Sequence, residues 1–92
     1  MHRFSNQQIN SFLSKAIPKF QGIKRSEKYD YVNDGLLCFD ILVENSIKLE
    51  LVGNVWRAEK PTKVFFSHVE HDISPNRAIL LCYIKIKGLI YE

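Results

Sequence analysis

Two of the three histidines in this 92-residue chain lie in the stretch FFSHVEHDISPNR, residues 65–77, where His68, Glu70, His71 and Asp72 follow closely on one another. Imidazole and carboxylate side chains set so close together are the raw material of a metal site or of acid–base catalysis. A zinc site needs three or four ligands, mostly His and Cys, at about 2 Å. Catalysis needs a base held by a carboxylate beside a nucleophile or a substrate. Read as a strand over residues 63–70, the segment sends His68 and His71 to opposite faces, aligns His68 with Glu70 and Asp72, and turns Ser67 away from His68. Cys82, on the next apolar stretch, completes a ligand set only if its face agrees. The favoured reading is structural: His68 buried or half-buried among Phe66, Leu81 and Tyr83, with Glu70 to Asp72 as a solvated strand end. No catalytic residue, metal ligand or cofactor is assigned, and the expectation leans away from an enzyme.

The second chemical candidate is electrostatic. The net charge is +3, yet residues 1–28 carry six Lys/Arg against Glu27 alone, whereas the remainder carries seven basic against nine acidic residues. Lys15, Lys19, Lys24, Arg25 and Lys28 could contact phosphates, with Tyr29 and Tyr31 just beyond them to stack a base. This gives an alternative function: binding of RNA or DNA, with a small ribonuclease using His68 or His71 as its acid–base group as the catalytic version. A solvated helix rim is the plainer account, and the four scattered glycines form no phosphate loop.

The elements that must position these groups begin with a helix over about 5–18. Ile9, Phe12, Leu13, Ala16 and Ile17 recur on one helical face, Ser5 and Gln8 read as a capping box flanked by Phe4 and Ile9, and Pro18 stops the helix. Beyond the basic linker the pattern turns to period two. Asp34-Gly35 reads as a two-residue hairpin turn between strands 28–33 and 36–43. A three-residue loop, Glu44-Asn45-Ser46, then leads to strand 47–52, and Gly53-Asn54 turns into strand 55–59. That last hairpin has its own check. Pairing Val52 with Val55 places Leu51 opposite Trp56, Glu50 opposite Arg57, Leu49 opposite Ala58 and Lys48 opposite Glu59, so apolar and charge matching agree. Two further apolar stretches, 63–70 and 78–87, read as strands joined by a turn at Ser74-Pro75-Asn76. The fold expected is α+β: one N-terminal helix packed on an antiparallel meander of five or six strands, forming a single domain over 1–92.

Composition excludes several classes. With 46% hydrophobic residues, 12% aromatics and no low-complexity tract, the chain is a folding one. Its apolar runs are too short to span a bilayer, and the first residues lack a signal-peptide core. Cys38 and Cys82 stand apart, as free thiols of a reducing cytoplasm do. On the expected sheet, Tyr29, Tyr31, Leu36, Leu42, Val52 and Val55 share the face away from the helix. An apolar face of that kind points to a protein partner or to a homodimer. The leading expectation is a small non-enzymatic interaction module (an inhibitor, an immunity or accessory factor, or a regulator) binding through a sheet face or edge, with no membrane or small-molecule partner.

Overall fold

Helix α1 (Asn6–Ala16) starts where its cap dictates. The Ser5 amide donates to Gln8 Oε1 at 2.8 Å and the Gln8 amide donates to Ser5 Oγ at 3.1 Å, which satisfies two amides that a helix start leaves without partners. Ile9 and Leu13 are fully buried, and Phe4 meets Phe12 edge to face at 5.4 Å. As far as Ala16 this helix is the one anticipated; Ile17 and Pro18, where it was expected to stop, lie outside the described residues. The computed structural model describes residues 4–16, 19–20, 23–24, 30–61 and 68–88. After α1 come β1 (Lys19–Phe20) paired with β2 (Ile23–Lys24), and a 3-10 turn over Tyr31–Asn33. Next are α2 (Gly35–Glu44), strands β3 (Lys48–Val52), β4 (Val55–Lys60) and β5 (His68–Asp72), and α3 (Pro75–Ile86).

Among the described residues the fold is α+β, but with three helices and a three-stranded antiparallel sheet in the order β3-β4-β5. That corrects the expected single helix on five or six strands. Two apolar runs expected as strands are helices, and both begin at caps whose residues also suit turns. Asp34 has φ −97°, not the positive φ a two-residue hairpin turn requires, and its side chain accepts from the Leu37 amide at 3.0 Å. Ser74 accepts from the Arg77 amide at 3.3 Å, and Pro75 fills the first helical position, where its missing amide costs nothing. In the expected strand 28–33, residues 30–33 form instead the approach to the 3-10 turn and the turn itself, while 28–29 lie outside the described residues. Of the expected strand 63–70, only His68 to Glu70 are described; the strand seen there continues to Asp72.

The loop Glu44-Asn45-Ser46 is likewise a helix end and not a hairpin. Asn45 caps α2, Ser46 takes φ 53°, the Ser46 amide donates to Val43 O at 3.2 Å and the Ile47 amide to Leu42 O at 2.9 Å. Those paired bonds define a Schellman motif, with a serine where glycine is usual.

One hairpin forms as read. β3 pairs with β4 in the register Val52↔Val55, Leu51↔Trp56, Glu50↔Arg57, Leu49↔Ala58 and Lys48↔Glu59. β4 then pairs with β5, setting Trp56 opposite Asp72, Arg57 opposite His71 and Lys60 opposite His68. Helix α3 lies against β4 and β5, where Ala58, fully buried, leaves room for it. β3 extends beyond that cover. Trp56 packs on the core, while Leu51 opposite it stays exposed. The core gathers Ile9 and Leu13 of α1, Tyr31 and Val32 of the 3-10 turn, Leu37, Cys38 and Ile41 of α2, and an unbroken buried run from Ala78 to Ile84 in α3. Among the described residues no helix is long and apolar enough to cross a membrane.

Candidate functional site

The histidine cluster is built into the scaffold. His68 and His71, three apart on β5, face opposite sides of the sheet. His68 is half-buried on the side of α3, and its carbonyl accepts from Cys82 Sγ at 3.5 Å; His71 is exposed, opposite Arg57 on the other side. Each carboxylate of the cluster is taken up by a cation from α3. Glu70 lies 2.7 Å from Lys85 Nζ, and Lys85 also donates to Val69 O at 3.0 Å.

Asp72 is not the solvated strand end expected: it is buried. Its Oδ1 accepts from the Ser74 amide at 3.0 Å and its Oδ2 from Arg77 Nε at 3.1 Å. Arg77 reaches onward to Asn6 Oδ1 and to the Phe4 carbonyl. A single guanidinium thus fastens β5, the start of α3 and the start of α1. Burial first, then Glu70, pushes the Cys82 thiol up to about 11, so it stays protonated at neutral pH. Burial, aided by Asp34, pushes Cys38 up to about 12. Among the described residues no three His, Cys, Asp or Glu side chains are grouped to hold a metal ion.

Asparagines do comparable work around the 3-10 turn. Asn10 accepts from the Val32 amide at 3.2 Å and donates to Asp30 Oδ1 at 3.2 Å, while Asn76 donates to the Val32 carbonyl at 2.9 Å. The hydrogen bonds from Asn33 and Asn10 hold the Asp30 carboxyl below its ordinary range.

Of the basic residues, Lys19 stands directly opposite Lys24 in the β1–β2 pair. Arg25 and Lys28 fall outside the described residues, and so does Tyr29. On α3, Tyr83 is buried, Lys85 joins Glu70, and Lys87 Nζ sits 5.5 Å from the centroid of the Tyr83 ring. Burial and then Glu44 raise the Tyr83 phenol.

The residues expected on one apolar sheet face are dispersed. Tyr31 is in the core, Leu42 is half-buried against it, Val52 and Val55 pair at the β3–β4 turn, and Leu36 belongs to a helix. The outer sheet face itself is charged. Arg57 lies 2.8 Å from Glu59 and 3.2 Å from Glu50, contacts that raise its guanidinium pKa, chiefly through Glu59. Lys48, Leu49, Glu50, Arg57 and Glu59 line a depression of about 360 Å³ there, in which Arg57 answers both Glu50 and Glu59.

What stands out is a set only partly anticipated. Leu36 (73% exposed), Phe39 (59%) and Val43 (56%) occupy one outward row of α2, opposite the buried Leu37, Cys38 and Ile41. Sequence reasoning singled out Leu36 but not Phe39 or Val43, which fall within the expected strand 36–43. Their three-and-four spacing was the available signal. Set against models of known protein families, curated proteins and solved structures, the chain matches none.

Proposed function

We propose that this protein is a small non-enzymatic interaction module whose contact surface is the outward row Leu36, Phe39 and Val43 of α2. The observation that carries the reading is the exposure of three large apolar side chains in register on one helix. Helix stability does not require them there, since polar helix formers serve an exposed row at least as well. Rows spaced in this way are read by a partner's groove or by a partner helix. Support by elimination comes from the histidine cluster, whose carboxylates are engaged by Lys85 and Arg77. Cys38 and Cys82, both buried free thiols, accord with a reducing cytoplasm.

Affinity capture from the source cells tests this reading. The double variant Leu36→Ser/Phe39→Ser should lose the wild-type protein partner while keeping its far-UV circular dichroism, whereas Lys24→Glu/Arg25→Glu should retain it. Undiminished capture by the first variant would dispose of the α2 surface.

A second reading, RNA or DNA binding through Lys15, Lys19, Lys24, Arg25 and Lys28, is favoured by the direct opposition of Lys19 and Lys24 across β1 and β2. It requires binding that weakens steeply with salt and is lost with Lys24→Glu/Arg25→Glu.

A further inference from the structure

β3 is an edge strand. Among the described residues it pairs with β4 alone, and along Lys48–Val52 every residue is exposed except Leu49, which is half-buried. Val52 and Val55 flank a two-residue turn, so they exchange both backbone bonds, and the ladder alternates from there. Lys48, Glu50 and Val52 therefore direct their backbone groups to β4, whereas those of Leu49 and Leu51 point away from it. Such an edge is a template for another strand. Neither proline nor a bulge blunts it, and Leu51 and Val52 stand exposed along it.

What fits the edge can be read from its own sequence. Two copies related by a two-fold axis pair antiparallel, and residues set opposite each other share a sheet face. The candidate centres are Leu49, Glu50 and Leu51. Centring on Glu50 sets that carboxylate against its own copy, which like charge opposes. Centring on Leu51 pairs Glu50 with Val52 and leaves Lys48 opposite Asn54. Centring on Leu49 instead places Lys48 opposite Glu50 of the other copy, twice over by symmetry. Leu49 then meets its copy on the axis, and exposed Leu51 faces Ile47. The amides of Leu49 and Leu51 supply the bonds, because the Ile47 amide already donates to Leu42 O.

Glu50 has room for a second cation. Arg57 carries one charge between two carboxylates and lies nearer to Glu59, at 2.8 Å, than to Glu50, at 3.2 Å; the Glu50 side chain stays 60% exposed. Lys48 is exposed on the same face of the strand.

We infer that β3 is a dimerisation edge: it pairs antiparallel with β3 of a second copy, centred on Leu49, and joins the two three-stranded sheets into one. This edge is separate from the α2 row and stands without it. The paired charges fix the register. One short strand is a small contact, so the dimer is reversible and grows with concentration.

Sedimentation equilibrium of the full chain from about 10 μM to about 1 mM tests this. The wild type should pass from monomer to dimer across that range. Lys48→Glu and Glu50→Lys each make both charge pairs repulsive, and each should weaken dimerisation at least about tenfold. An equimolar mixture of the two variants restores both pairs in a heterodimer and should associate about as well as the wild type. Leu51→Pro removes an amide that points away from β4 and should abolish the dimer. All these positions are exposed, so far-UV circular dichroism should show each variant folded.

A wild type that stays monomeric, a Lys48→Glu variant that dimerises as the wild type does, or a mixture no tighter than its components overturns the edge dimer. A dimer that Phe39→Ser dissolves while Lys48→Glu leaves it intact places the contact on α2 and overturns the edge likewise.

Discussion

Helices α2 and α3 are similar in length and both rich in apolar residues, yet they stand in opposite relations to the rest of the chain. α3 is enclosed: α1, α2, the 3-10 turn, β4 and β5 all pack on it, and Ala78 through Ile84 are buried without a break. α2 touches α3 and the 3-10 turn with one side and shows Leu36, Phe39 and Val43 on another. The fold therefore accounts for every apolar residue in the middle of α3 and for only part of α2. That surplus is what supports the contact surface proposed on α2.

The contrast is sharpest in stability. Leu80→Ala, at a fully buried position of α3, should cost about 3 kcal/mol, while Leu36→Ala should stay within about 0.5 kcal/mol, both read from urea unfolding. Comparable losses would mean that the outer row of α2 is packed after all.

A smaller effect separates the helix ends. Gly88 follows α3 with φ 68°, and Gly88→Ala should cost about 1 kcal/mol in thermal melts. Ser46 follows α2 with φ 53° without glycine's freedom, so Ser46→Gly should gain about 0.5 kcal/mol. A loss from Ser46→Gly would show that the serine side chain contributes more than its backbone geometry costs.

The same pair of helices explains what could be read in the sequence. The start of α1 was legible because Ser5 and Gln8 act only on neighbours, and the β3–β4 register because two charge pairs and three apolar pairs demand the same alignment. Seven successive buried residues leave α3 with no periodicity to separate helix from strand; only Ser74-Pro75 marks it, and a serine-proline pair also suits a turn. α2 misled more directly. An aspartate before glycine is both a hairpin turn and a helix cap, and an exposed row of Leu36, Phe39 and Val43 mimics the two-faced apolarity of a covered strand. The candidate surface was hidden by the same ambiguity, since its residues look like core to any reading that assumes apolar means inside. Asp72 was missed for a different reason: its partners come from α3 and, through Arg77, from the beginning of the chain.

That last contact has a kinetic meaning. The bond from Arg77 to the Phe4 carbonyl spans 73 positions, whereas the β3–β4 hairpin closes through a two-residue turn. Chain closure of that length returns nothing until most of the intervening structure is in place. Docking of α1 through Arg77 should therefore come after the folding barrier, like a latch that acts only on a door already shut. Arg77→Ala should speed unfolding several-fold in stopped-flow experiments and leave the refolding rate nearly unchanged. Slower refolding of the same size would instead place the latch within the nucleus. On this view the guanidinium sets how long the native state lasts once formed, and the hairpin sets how quickly it is reached.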